Sequence, residues 1–392
     1  MSRFKVLYCI GSLCTPGGTE RVLSSKASIF ADKYGIEVHI CTISTNKNRF
    51  YKFSEKIIFH NLSAVYNCKS YPKVPFLRNY LIKRDLYNAY EDLIKKISPN
   101  VVIVMERGTD DFYIPNICHK LNIPVAREFH FAKAAVYSRA KIMGSMLTRW
   151  NYISKYKRIF HAFDNYDYML LLTEQDQREG NYKTKTIVIP NIVPPLVDQD
   201  QVANVNQSKK FISVGSMNDQ RKGFDSIIKA WATIASKYRD WTFEIWGQGP
   251  YEPILRKLIV DLGVEQSVKL CGSTNDIASK YCDSAFYISG AIAEGLPMVL
   301  IEAMSCGLPC VAYDCPTGPS DIISDGVDGI LVPLYDLKGL ATGIEKEIID
   351  TNLRLQQSIN ARKKSMQFTE NVIIPKWLDF FRMFGYKNNR RE

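Results

Sequence analysis

No stretch of this sequence reaches the ~20 consecutive apolar residues that a membrane-spanning helix needs, so no span is expected. The ten cysteines are scattered and form no Cys-x-x-Cys array. A disulfide framework and a cysteine-built zinc site both lack support, and buried free thiols in a reducing cytosol are expected. No Asp-x-Asp stands at the end of a strand-like run, so no metal is expected. The Gly-x-Gly-x-x-Gly dinucleotide fingerprint is missing, as are helix-turn-helix, zinc-finger and RNA-platform patterns, so neither a dinucleotide cofactor nor a nucleic-acid partner is expected. The apolar N-terminal run ends by Leu13 and is followed by Gly and Pro, unlike a secretory leader, so a cytoplasmic location is expected. No internal repeat or low-complexity segment stands out. One absence is local: between Phe129 and Phe163 there is no acidic residue at all.

What is present points to two domains. The chain has 392 residues, 46% of them hydrophobic, enough for two sizeable cores. Its net charge of +11 favours an anionic partner or substrate. Short apolar runs alternate with helical patterns: strands over 4–10, 38–43, 101–105, 124–129, 169–173 and 186–189, with helices over 19–33, 80–97 and about 111–121 between them. A second series has strands at 211–214, 242–246, 268–272, 285–289, 310–313 and 329–333, with a helix over 224–238. This order predicts an α/β protein with two doubly wound parallel sheets, whose ligands sit at the carboxyl ends of the strands. The expected division is a first domain over 1–192, a Pro-, Gln- and Asn-rich linker over 193–208, a second domain over 209–368 and an amphipathic helix over 369–392.

The most informative stretch is Glu294-Gly-Leu-Pro-Met-Val-Leu-Ile-Glu302, continuing Ala-Met-Ser-Cys-Gly307-Leu-Pro309. Gly295 turns the chain after a strand, Pro297 suits the first helical position, and Gly307 with Pro309 stops the helix. Exposed N–H groups at such a helix start can hold a phosphate. Glu294 in the loop and Glu302 inside the helix can face one cleft. A first-turn acid plus a solvated surface acid would give the same spacing, but Glu302 is flanked by Val299, Leu300, Ile301, Ala303 and Met304, which disfavours a surface position.

This Glu-x7-Glu frame, with its Gly, Pro and helix-stop residues in register, resembles the signature of the retaining glycosyltransferases of family GT4, which have the GT-B fold. Other segments resemble the same family. Gly17-Gly18-Thr19-Glu20-Arg21 matches its glycine-rich loop near the donor diphosphate and acceptor, and Ile187-Val188-Ile189-Pro190-Asn191 matches the end of its first half. Lys222-Gly223 matches its Lys-Gly, and Gly247-Gln248-Gly249-Pro250 a donor-side loop. The family Arg that precedes the Lys-Gly is replaced here by Ser216, and Arg221 is the candidate substitute.

The resemblance implies that Glu302 binds the ribose hydroxyls of a nucleotide-sugar and that Glu294 holds the sugar. Lys222, with Arg221, would stabilise the departing diphosphate. Gly17, Gly18, Gly247, Gly272, Gly295, Leu296, Pro297, Met298 and Val299 would complete the donor site. On the acceptor side stand Glu128 and His130, in one of two registers: His130 in the family His position, or Phe129 in that position with Glu128 retained. The nucleotide-sugar, expected to carry UDP, is a substrate, so no cofactor is implied.

The acid-free segment carries Lys133, Arg139, Lys141, Arg149, Lys155, Lys157 and Arg158 interleaved with Tyr137, Met143, Met146, Leu147, Trp150, Tyr152 and Tyr156. It fits a basic amphipathic surface, over about 132–160, for anionic lipid. A solvated helix face with an apolar inner side accounts for the same residues, and the two readings are compatible. The expected function is retaining transfer of a sugar to a hydroxyl of a glycan or lipid-linked oligosaccharide in cell-surface polysaccharide synthesis, at the inner membrane face. A nucleotide-sugar epimerase or a non-catalytic sugar-nucleotide-binding protein is the alternative.

Overall fold

The structure is a computed structural model that describes residues 3–44, 46, 48–66, 74–105, 113–198 and 201–387. Its first sheet comprises β1 (Lys5–Cys9), β2 (Glu37–Thr42), β3 (Ile58–Asn61), β4 (Val101–Val104), β5 (Val125–Glu128), β6 (Tyr168–Leu171) and β7 (Lys185–Val188), in spatial order β3-β2-β1-β4-β5-β6-β7. The second comprises β8 (Lys210–Val214), β9 (Thr242–Trp246), β10 (Val268–Gly272), β11 (Phe286–Ser289), β12 (Cys310–Asp314) and β13 (Gly329–Pro333), ordered β10-β9-β8-β11-β12-β13. The strands pair in parallel throughout both sheets. Such strands are covered on both faces, which is why their central residues read as continuous apolar runs. The strand order reverses direction between β1 and β4 in one sheet and between β8 and β11 in the other, and ligand crevices open at such points.

The second core is built around three rings from neighbouring strands. Phe211 stacks on Phe243 and Phe286 at centroid separations of 4.7 and 5.0 Å with nearly parallel planes. The first core includes the C-terminal helix Glu370–Arg382, whose Trp377 and Phe381 meet Phe30 at 5.9 and 5.2 Å. The chain therefore crosses between the domains twice. The two crossings are tied where the Val193 N–H donates to the Phe368 carbonyl at 2.8 Å.

Several elements differ from expectation at their edges. The region between 44 and 75 contains a short strand, β3, and a helix turn, Ser63–Tyr66. The following helix begins at Pro75 instead of Tyr80. The helix expected over 224–238 ends at Ala232 and is followed by a 3₁₀ turn, Ala235–Lys237. The helix expected from Asp111 has its start outside the described residues and runs over Tyr113–Lys120. The acid-free segment folds as two helices, Lys133–Lys141 and Met146–Ala162. No helix among the described residues is long and apolar enough to cross a membrane.

Candidate active site

The loops after β1, β8 and β11 converge between the two sheets. Glycine makes this possible at two positions. Gly223 has φ of +63°, and a Cβ there would come within 1.7 Å of the Gly290 carbonyl oxygen. The loop after β8 is thus pressed backbone-to-backbone against the loop after β11. A second tie is the Ile292 N–H donating to the Arg221 carbonyl at 3.0 Å. At Gly295 a Cβ would lie 2.4 Å from the His130 carbonyl oxygen, so the second domain touches the first through bare backbone.

That packing sets Lys222 beside Glu294. Lys222 closes a 3₁₀ turn, Gln220–Lys222, which Asp219 caps by accepting the Arg221 N–H at 3.0 Å. Its stem lies over Gly215, and its Nζ donates to Glu294 Oε1 at 2.6 Å. Glu294 is buried at 7% exposure. Behind it, the Thr317 hydroxyl reaches the Glu294 and Gly295 carbonyl oxygens, both at 3.4 Å.

Glu302 is the fifth residue of the helix Met298–Ser305. Pro297 is the residue flanking this helix, one position earlier than expected, and Gly307 follows the helix end with φ of +83°. Glu302 is 5% exposed. Its partner comes from the other domain: Arg21 Nη1 donates to Glu302 Oε1 at 2.8 Å. Burial pushes the Glu302 carboxyl above its ordinary range, and Arg21 and Lys222 each pull it back without cancelling the rise. Arg21 sits in the helix Gly18–Lys33, for which Gly17 is the N-terminal flanking residue. A Cβ on Gly18 would lie 3.3 Å from the Met298 methyl, so this helix start rests on the Glu302 helix.

The remaining sequence candidates divide. Leu296, Pro297, Met298 and Val299 form the loop and helix start between the two glutamates. Gly247 and Gly272 meet each other, the N–H of the first donating to the carbonyl of the second at 2.7 Å. Arg221 lies beside Lys222 in sequence. Its Nε stands 3.8 Å from Asp219 Oδ1, outside hydrogen-bond range. Asp219 is also approached across the cleft by Arg139 at 3.4 Å.

Glu128 is buried inside the first domain, where both carboxylate oxygens accept from Lys26 Nζ. Burial alone would raise its carboxyl, but Lys26 and His130 outweigh that and hold it down to about 2. His130 Nε2 is 2.9 Å from Glu128 Oε1, although the ring is not angled to make a hydrogen bond. Arg21 and Lys26 join the site and its support without a motif that pairs either with its carboxylate. Arg21 follows Gly17-Gly18 closely, at the carboxyl end of β1, and that position is the signal that singles it out.

Residues 208–350 match the family model described as Glycosyl transferases group 1. An uncharacterized glycosyltransferase of Haemophilus influenzae is 30% identical over 378 residues, covering 95% of this chain and 98% of that protein. The chain belongs to the glycosyltransferases. Among solved structures, a mutant of S. aureus TarM in complex with Fondaparinux, alpha-GlcNAc-glycerol and UDP superposes with a TM-score of 0.75 at 16% identity, covering 98% of this chain and all of that one. The lipopolysaccharide outer core galactosyltransferase WaaB superposes with a TM-score of 0.71 at 20% identity, covering 97% and 99%. These likenesses show the GT-B fold of this glycosyltransferase. The convergence of Glu294, Glu302, Lys222 and Arg21 lies where that fold opens its cleft.

Proposed function

We propose that this glycosyltransferase moves a sugar from a nucleotide donor, a UDP-sugar, to an acceptor hydroxyl with retention at the anomeric carbon. The observation that carries this reading is the pair of buried carboxylates on one loop and helix, Glu294 matched to Lys222 at 2.6 Å and Glu302 to Arg21 at 2.8 Å. A buried carboxylate with a single cation neighbour keeps free acceptor lone pairs, suited to sugar hydroxyls. In this reading Glu302 takes the ribose hydroxyls and Glu294 those of the transferred sugar. Leu296 to Val299 line the path between them, and Lys222 faces the diphosphate.

The bond from the anomeric carbon to the phosphate oxygen breaks as the acceptor oxygen bonds to the same face of that carbon. The acceptor proton passes to the departing phosphate oxygen, so no protein base is required. A fixed ammonium beside the growing phosphate charge lowers the barrier. His130, against Gly295 at the domain contact, stands on the acceptor side, with the buried Glu128 carboxylate one step behind it. Closure of the domains excludes water and limits donor hydrolysis.

The acceptor is a glycan or lipid-linked oligosaccharide of a cell-surface polymer, in keeping with the saccharide ligands of the TarM complex and the lipopolysaccharide role of WaaB. The helix Met146–Ala162 supports an anionic membrane surface as partner. Met146, Leu147 and Trp150 are exposed near its start, it has no acid, and Arg149, Lys155, Lys157 and Arg158 lie along it. Contact would be peripheral, at the inner face of the membrane.

The test is incubation with a panel of UDP- and GDP-sugars, with and without saccharide and lipid-linked acceptors. Release of nucleoside diphosphate only when an acceptor is present, lost in Glu302→Ala, is expected. Conversion of a donor to its epimer without acceptor would overturn the proposal.

A further inference from the structure

We propose that Arg21 is the second diphosphate cation of the donor site, supplied across the cleft by the first domain. This rests on the nucleotide-sugar reading above. The loop after β8 has Ser216 where the family signature it resembles has an arginine, and the Nε of its Arg221 stands 3.8 Å from Asp219 Oδ1 without a hydrogen-bond partner. Lys222 is then the one cation of that loop in contact with a site carboxylate. A diphosphate brings two or more negative charges into a crevice whose two carboxylates are already negative, and a single ammonium leaves that charge poorly matched.

Arg21 is placed to correct this. Its guanidinium reaches the buried Glu302 from the opposite domain at 2.8 Å, while its side chain remains 43% exposed. Only one of its five N–H donors is committed to Glu302 in the contact seen. The Gly18–Met298 contact fixes the backbone from which it reaches.

Arg21 keeps Glu302 paired across the cleft. When ribose hydroxyls occupy Glu302, the guanidinium turns its planar fork to the neighbouring phosphates, a match for which arginine is better shaped than lysine. Each domain then contributes one cation to the same diphosphate. Donor binding thereby draws the domains together, and departure of the nucleoside diphosphate requires Arg21 to return to Glu302.

Calorimetric titration of the full chain with UDP and uridine, and in parallel GDP and guanosine, tests this. Wild-type protein identifies the base and sets the preference for diphosphate over nucleoside. Arg21→Gln, which keeps a donor for Glu302, should lose roughly tenfold or more in diphosphate affinity. Nucleoside affinity should stay within about twofold or tighten, because Glu302 is more available. Arg21→Lys keeps the charge but not the fork, so its diphosphate preference should fall by several fold; it carries the test if the glutamine variant folds poorly.

An unchanged ratio of diphosphate to nucleoside affinity in the variants overturns the inference, and so does equal tightening of both ligands, which would make Arg21 only a latch on Glu302. Wild-type protein that binds none of the four ligands overturns the donor reading itself, a result separable from the other two.

Discussion

Lys26 Nζ sits between both carboxylate oxygens of Glu128 in the interior of the first domain, with the Trp377 ring 4.4 Å away on its other side. This pair joins the helix Gly18–Lys33, the end of β5 and the C-terminal helix at one point. Removing one partner of a buried ion pair typically costs about 3–5 kcal/mol, whereas replacing both with apolar groups is often nearly neutral. Lys26→Met is therefore expected to lower stability by several kcal/mol, and Lys26→Met/Glu128→Leu to recover most of it. Urea titration of the three proteins checks this.

The same pair sets an acid response. The Glu128 carboxyl is held down to about 2 against an ordinary value of 4.5, so its contribution is fully present above about pH 4.5 and is lost as pH falls toward 2. Melting temperatures across this range should drop steeply in wild type and less steeply in the double variant.

Lys222 and Glu294 should be coupled in catalysis as well as in folding. Lys222→Ala is expected to reduce turnover by roughly 10²-fold or more, as removal of one fixed donor from a developing charge does elsewhere. Lys222→Ala/Glu294→Gln should be more stable than the sum of the single effects, because each single variant leaves an unpaired buried charge and the double variant leaves none. Additive stabilities would mean that the 2.6 Å contact is not maintained in solution.

Gly295→Ala places a methyl 2.4 Å from the His130 carbonyl oxygen, which is backbone and cannot step aside as a side-chain tip can. Overpacking of this kind costs about 1–3 kcal/mol, and here the strain is relieved by parting the domains. Small-angle scattering should report a more open molecule, with turnover reduced more than nucleotide affinity.

Exposed Leu147 and Trp150 give the membrane proposal its own test. Leu147→Ser/Trp150→Ser should cut sedimentation with vesicles containing anionic lipid. Wild-type binding should weaken with added salt, since each Lys or Arg near such a surface contributes about 1 kcal/mol through a screened attraction. Equal binding to neutral vesicles would argue against the charge contribution.

The sequence made the parallel sheets legible because strands covered on both faces read as unbroken apolar runs such as Val101–Val104, and because Gly295 and Gly307 punctuate the chain around Glu302. β3 stayed hidden: Ile58-Phe-His-Asn61 lies at the edge of the first sheet, partly exposed, and its composition resembles the loop around it. Glu294 and Lys222 could each be assigned to the donor site in advance through the family frames that carry them, though not their contact with each other. Arg21 could not be paired with Glu302, because 281 residues separate them and no periodicity crosses from one domain to the other.

The bond between Val193 and Phe368 has a mechanical consequence. Two straps held at a single pivot leave the halves of the molecule free to swing about it but resist twisting and sliding. A few degrees of rotation there become a much larger gap at the far lip, because the sheets act as levers. Cutting the returning strap ahead of Glu370 would remove that restraint and, with Trp377 and Phe381, the wall against which Phe30 packs.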